Sequence, residues 1–101
     1  MEFMYQPTEF ELQLSVLYVI KNLKTKATGP LLHSIIGSVA KTNFFEIGHI
    51  VSLLIESKNL TQMIIDNETA YIITDNGEAT VGYFYKEIPF SMREKLLDEV
   101  Y

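Results

Sequence analysis

The chain has no cysteine, and basic side chains are scarce: 8 Lys and Arg stand against 13 Asp and Glu, a net charge of −5 over 101 residues. The missing cysteine excludes disulfides, thiolate metal sites, iron–sulfur clusters and cysteine nucleophiles, and it fits a reducing compartment. The charge excludes a uniformly basic nucleic-acid binder and still permits a locally basic one.

Enzyme signatures are also lacking. The sequence contains no phosphate-binding P-loop, no Gly-x-Gly-x-x-Gly and no Gly-x-Ser-x-Gly. Its two histidines, His33 and His49, are not arranged as His-x-x-x-His, and no cysteine accompanies them. We therefore expect no catalytic activity, no cofactor and no metal site.

Long hydrophobic runs are absent. The longest apolar run covers residues 16–20, far short of the ~20 residues that a membrane-spanning helix needs. The N-terminus is acidic where a secretory signal would be basic. These features predict a cytoplasmic protein with no membrane association, and the length suits a single domain over residues 1–101.

The charge that is present is unevenly distributed. Residues 21–58 carry five lysines against two glutamates, whereas residues 1–20 and 59–101 are both net acidic. A basic middle third suggests an anionic partner for that part of the chain. Random scatter of surface charge is the alternative.

Three helices are predicted in the first part of the chain. Thr8-x-x-Glu11 has the form of a capping box and begins a helix over residues 9–23 that is apolar nearly all round. A helix of this kind is buried on more than one side, one of which a partner subunit can provide. Thr28 and Pro30 suit the start of a second helix that ends near residue 40. Asn43 caps a third helix to about residue 57, whose inward positions are Ile47, Ile50, Val51, Leu54 and Ile55.

The pattern then changes to that of a β-hairpin. Residues 60–65 and 70–73 are short runs rich in Ile, Thr and Tyr, separated by a polar turn over residues 66–69. Thr74 is expected to cap a fourth helix over residues 75–87, with Gly77 allowing its start to pass close to neighbouring backbone. Ser91-x-x-Glu94 has the form of a capping box that opens a fifth helix to about residue 100.

This order of elements predicts a mainly α (α+β) fold of the winged helix-turn-helix type. A three-helix core carries the helix-turn-helix at about residues 28–58 and a β-hairpin wing at about residues 59–73, and two C-terminal helices follow at about residues 75–100. Helix one and the C-terminal helices form the expected homodimer surface.

Several stretches resemble known families. The stretch YIITDNG at residues 71–77 resembles the element that closes the wing in PadR-like and MarR-like bacterial regulators. Residues 9–100 resemble an uncharacterised bacterial winged-helix family known only as a domain of unknown function, most specifically in IPFSMRE at residues 88–94. Members of that family usually continue into a further C-terminal region. The resemblance implies a transcriptional regulator that binds double-stranded DNA.

The third helix is the candidate recognition helix. Its outward residues and the turn before it supply groups suited to base edges or phosphates in the major groove, namely Lys41, Thr42, Asn43, Glu46, His49 and Ser52. The wing turn carries two acids and no base, which disfavours phosphate contact. Asn67 is the one wing residue expected to touch a groove. Paired copies would read half-sites roughly 34 Å apart.

A winged helix used for protein interaction, without DNA binding, is the alternative function. The net charge, the acidic wing and Glu46, an acid where the resembling family has uncharged polar residues, favour it. A continuous positive stripe through Lys24, Lys26, Lys41 and His49 would favour DNA, and an interrupted one would favour the interaction module.

Overall fold

The computed structural model describes residues 4–101, which form an α+β fold of five α-helices and a three-stranded antiparallel sheet. The helices are α1 (Glu9–Asn22), α2 (Gly29–Gly37), α3 (Phe44–Glu56), α4 (Asp75–Phe84) and α5 (Phe90–Val100). The strands are β1 (Ala27–Thr28), β2 (Leu60–Ile65) and β3 (Glu68–Ile73). None of the helices in this part of the chain is long and apolar enough to cross a membrane.

Side-chain caps start four of the five helices. At α1 the Thr8 hydroxyl accepts from the Glu11 backbone N–H at 3.1 Å, and the Glu11 carboxylate accepts from the Thr8 N–H at 2.8 Å. This is the predicted capping box. The side chains that cap α2, α3 and α4 are the expected ones, Thr28, Asn43 and Thr74. Local sequence therefore sets where these helices begin.

The β-hairpin is confirmed and is tighter than the sequence suggested. β2 and β3 pair from Leu60 with Ile73 to Ile65 with Glu68, so the turn holds only Asp66 and Asn67. Both turn residues have positive φ, 53° and 66°. Positive φ at both central positions is the mark of a type I′ turn, whose twist matches that of the strands it joins.

β1 was not predicted from the sequence. Ala27 and Thr28 pair with Tyr71 and Ala70, which gives the sheet the order β1-β3-β2. Two residues are too few to show an alternating pattern. The strand exists because β3 offers a free edge to the connection between α1 and α2.

The hydrophobic core is built around α1, which packs against α2, α3, α4, α5 and β3. Six apolar residues of α1 are buried: Leu12, Leu14, Val16, Leu17, Val19 and Ile20. Ser15 is buried too, and its hydroxyl donates to the Glu11 carbonyl at 2.7 Å. The apolar excess that suggested a partner subunit is thus used within the chain.

Two helices, α2 and α4, end earlier than predicted. α2 ends at Gly37 rather than near residue 40, and the Val39 N–H donates to the Ile36 carbonyl three residues earlier, which tightens the turn after the helix. α4 ends at Phe84 and is followed by a short 3₁₀ turn over Tyr85–Glu87.

The capping box predicted at Ser91 is wrong. Pro89 occupies the N-cap position of α5, and no side chain provides a cap there. Helix α5 begins at Phe90, so Ser91 already lies inside it.

Candidate nucleic-acid interface

The connection between α2 and α3 is held by the N-terminal segment. Tyr5 forms a parallel bridge with Ala40, and its carbonyl accepts from the Lys41 backbone N–H at 2.7 Å. Beyond this connection, α3 packs one side into the core through Ile47, Ile50, Val51 and Leu54. The opposite side of α3 is left open to solvent, and Lys41 is exposed just before its start.

Three of the predicted site residues, at the start of α3 and just before it, form a local hydrogen-bonded group. The Asn43 side-chain oxygen accepts from the Glu46 backbone N–H at 2.9 Å, and the Thr42 hydroxyl donates to the Glu46 carboxylate at 2.6 Å. An acid in the first turn also complements the helix dipole. These contacts fix the start of α3, and Asn43 itself is exposed to solvent.

His49 and Ser52 are both exposed on α3. The His49 Nε2 lies 3.7 Å from a Glu9 carboxylate oxygen of α1. A groove between α1 and α3 begins there, and Glu9 and Glu56 both line it. His49 therefore sits between the open face of α3 and an acidic flank.

Two residues on the open face are not among the predicted site residues. Phe45 is 87% exposed, the most of any large apolar side chain described. One turn on, Gly48 is exposed, and a Cβ added to it would meet nothing within 4 Å. Glycine inside a helix costs about 0.5–1 kcal/mol relative to alanine, and no contact among residues 4–101 requires it here. The spacing of residues 45, 48 and 52, opposite the buried stripe, was the available signal.

The positive stripe that would favour DNA binding is interrupted at Lys26. The Lys26 ammonium donates to the Glu68 carboxylate at 2.8 Å, lies 3.7 Å from Asp66, and reaches the Ile65 carbonyl at 3.4 Å. The hydrogen bond to Glu68 raises the pKa of Lys26 above its usual value, and desolvation opposes that increase. Lys26 thus contacts the hairpin turn, whereas Lys24 and Lys41 are exposed to solvent.

The hairpin end carries little that suits a phosphate. Asn67 is exposed in the turn, but both of its acidic neighbours, Asp66 and Glu68, are too. Beside the turn, Ile64 is 69% exposed and Met63 is 49% exposed. This end of the sheet is apolar on its strands and acidic at its tip.

The expected dimer surface on α1 and the C-terminal helices remains a prediction. The exposed apolar surface there is aromatic. The Phe10 and Phe84 rings are edge-on, with centroids 5.7 Å apart, and the centroids of Phe84 and Tyr83 are 4.8 Å apart. All three side chains are exposed. They join the start of α1 to the end of α4.

The two histidines lie on different helices, His33 on α2 and His49 on α3. His33 is half-buried on α2, where its ring lies edge-on to Phe44 at 5.9 Å. Within residues 4–101, no three His, Asp or Glu side chains are close enough together to hold a metal ion.

Comparison with known proteins gives one family. A family model described as Domain of unknown function (DUF4364) matches residues 12–100. Neither a curated protein nor a solved structure gives a significant match.

Proposed function

The chain belongs to the DUF4364 family, and we propose that it is a DNA-binding transcriptional regulator of the winged-helix type, with α3 as its recognition helix. The proposed target is the major groove of double-stranded DNA. The proposal concerns the face of α3 that points away from the core.

The order of elements supports the winged-helix assignment. α2 and α3 follow one another across residues 38–43 in the manner of a helix-turn-helix. The β2–β3 hairpin comes directly after α3, where a wing belongs, and β1 completes a small antiparallel sheet.

The open face of α3 is the observation that carries the proposal. Gly48 leaves the middle of that face without a side chain, and within residues 4–101 a Cβ added there would meet nothing within 4 Å. A bare helix surface permits close approach to the floor of a groove. Asn43, His49 and Ser52 then offer polar groups for base edges.

Lys41 is the natural phosphate contact, because it is exposed immediately before the helix that would enter the groove. The hairpin over residues 60–73 contains no Lys or Arg, and Lys26, which reaches its turn from outside, is held by Glu68. Binding through so few phosphate contacts should be modest and easily weakened by salt.

Fluorescence anisotropy with DNA from the region upstream of the protein's own gene tests the proposal. At ~50 mM salt, Lys41→Glu should weaken binding by about tenfold or more and lower the salt slope by about 1, because a phosphate contact is replaced by a repulsion. Lys86→Glu is the matched control: it makes the same charge change on the 3₁₀ turn after α4. Equal losses in both variants, or no binding by the unmodified chain, would contradict the proposal.

A protein-interaction module is the second candidate, favoured by the interrupted lysine stripe at Lys26 and by the 87% exposed ring of Phe45. In that case Phe45→Ala should abolish binding to a protein partner, since exposed aromatic side chains are common anchors of interfaces. Lys41→Glu should then have no effect, and DNA should not bind even at low salt.

A further inference from the structure

Strand β2 forms a free edge of the sheet. In the order β1-β3-β2, β3 lies on one side of β2, and no other strand of residues 4–101 pairs with its outer side. The opposite edge of the sheet is β1, which is only two residues long. The sheet therefore has one edge long enough to pair with another strand.

This edge lacks the features that usually protect a free strand. β2 reads LTQMII over its six residues, with no charge and no proline. Its pairing with β3 runs without a bulge from Leu60 to Ile65. Edge strands normally carry lysine, proline or a bulge to prevent pairing with another chain. Met63 and Ile64 are instead apolar and exposed.

Charges of opposite sign mark the two ends of β2. Lys58 is exposed two residues before the strand, and Asp66 is exposed directly after it. Asp66 lies 3.7 Å from Lys26, but the closer partner of that lysine is Glu68 at 2.8 Å. An antiparallel copy of the same strand would bring each lysine end to the aspartate end of the other strand.

We propose that two copies of this chain pair through β2, edge to edge and antiparallel, about a two-fold axis at Gln62. The two sheets would join into one continuous sheet across the axis. The occupant of the free edge is thus a second copy of the chain, a different interface from the one predicted on α1 and the C-terminal helices.

The faces of the sheet and the end charges select this register. Directly opposite residues of an antiparallel pair point to the same face, so a two-fold axis must pass through one residue of β2. With Gln62 on the axis, Leu60 lies opposite the partner's Ile64, and the lysine and aspartate ends meet. With Met63 on the axis, Asp66 would instead lie opposite the partner's Leu60, which is only 2% exposed.

The pairing closes at two copies. Once β2 is paired, the edges left on the joined sheet are the two short β1 strands, which are too short to continue the array. The proposal is independent of DNA binding, so each can fail without the other.

Disulfide trapping tests the register, because the chain has no cysteine of its own. In Gln62→Cys the two thiols would lie directly opposite, with Cα atoms ~4.5–5.5 Å apart, a separation that a disulfide spans. Oxidation with copper phenanthroline should yield a covalent dimer on a non-reducing gel. In the control Ile64→Cys, the two cysteines would be about 13 Å apart along the strands, which is too far.

Charge substitution at the axis gives the second test, by sedimentation equilibrium. Gln62→Lys and Gln62→Glu each place like charges opposite one another and should raise the dimer dissociation constant by roughly fivefold or more, while an equimolar mixture should associate again. Gln62 is exposed, so both variants should fold, as far-UV circular dichroism will verify. A monomeric unmodified chain at ~100 µM, equal cross-linking of both cysteine variants, or a dimer that Phe84→Ser dissociates and Gln62→Lys does not, would overturn the proposal.

Discussion

At the scale of single residues, Gly77 shows how one position fixes the approach of two segments. An ideal Cβ on Gly77 would lie 2.2 Å from the Asn59 carbonyl oxygen and 2.8 Å from the Ile73 side chain. The same carbonyl accepts from the Thr74 backbone N–H at 3.1 Å. The expectation that glycine lets the start of α4 pass close to neighbouring backbone is confirmed.

Two glycines of α4 provide a matched pair for substitution. Gly77→Ala should destabilise the fold by about 2–4 kcal/mol, because the backbone of residue 59 cannot move away cheaply. Gly82→Ala, at a position where an added Cβ meets nothing within 4 Å, should instead stabilise it by about 0.5–1 kcal/mol. Urea unfolding followed by circular dichroism measures both. Similar effects of the two substitutions would show that the close contact at Gly77 is not what requires glycine.

At the scale of elements, the sequence predicts those that carry their own local signal. Periodicity and capping residues give α1, α3 and the hairpin to within a few residues. β1 has no such signal, since it depends on the free edge of β3. The start of α5 was misplaced because Ser91 and Glu94 have capping-box spacing without serving as one.

The sequence indicated where the candidate site lies, on the outward face of α3, but it indicated only some of the residues exposed there. Reasoning from polar residues identified Asn43 and Glu46, which the structure engages in forming the start of α3. It passed over Phe45 and Gly48, because an apolar ring and a glycine resemble core or turn residues in a sequence. Lys26 looked like a free cation until the hairpin brought Glu68 to it.

Thr74 joins two elements through one hydroxyl group, which accepts from the Gly77 N–H at 3.0 Å and donates to the Lys58 carbonyl at 2.7 Å. Thr74→Ala loses both bonds and should cost about 1–2 kcal/mol of folding stability. Thr74→Ser keeps the hydroxyl and should cost much less. Chemical denaturation of the three proteins checks this, and an equal loss in Ser and Ala would show that the methyl group, rather than the hydroxyl, is what stabilises.

At the scale of the whole molecule, long-range contacts tie the basic connection before β1 to the acidic end of the hairpin. Lys26 and Glu68 are 42 residues apart in sequence. Their pairing removes a free cation from the basic middle third of the chain and neutralises part of the hairpin tip. Because Lys26 is paired with Glu68, the hairpin tip has no free cation from residues 4–101 for a DNA phosphate. The same contact holds the hairpin turn against the connection before β1.

This long-range contact makes a prediction for pH. The pKa of Lys26 is raised in the folded chain, so its stabilisation is fully present below its unfolded value of about 10.4 and is lost as pH rises through the folded value. Lys26→Gln should therefore lower Tm slightly at pH 7, and the gap to the unmodified protein should close at strongly alkaline pH. Lys24→Gln, the same charge change on an exposed neighbour, should leave Tm nearly unchanged.

Hydrogen exchange of the turn amides at residues 66–68 should quicken in Lys26→Gln alone. If exchange there is unaffected, the ion pair does not hold the hairpin tip, and Lys26 would be free to join Lys41 at an anionic partner.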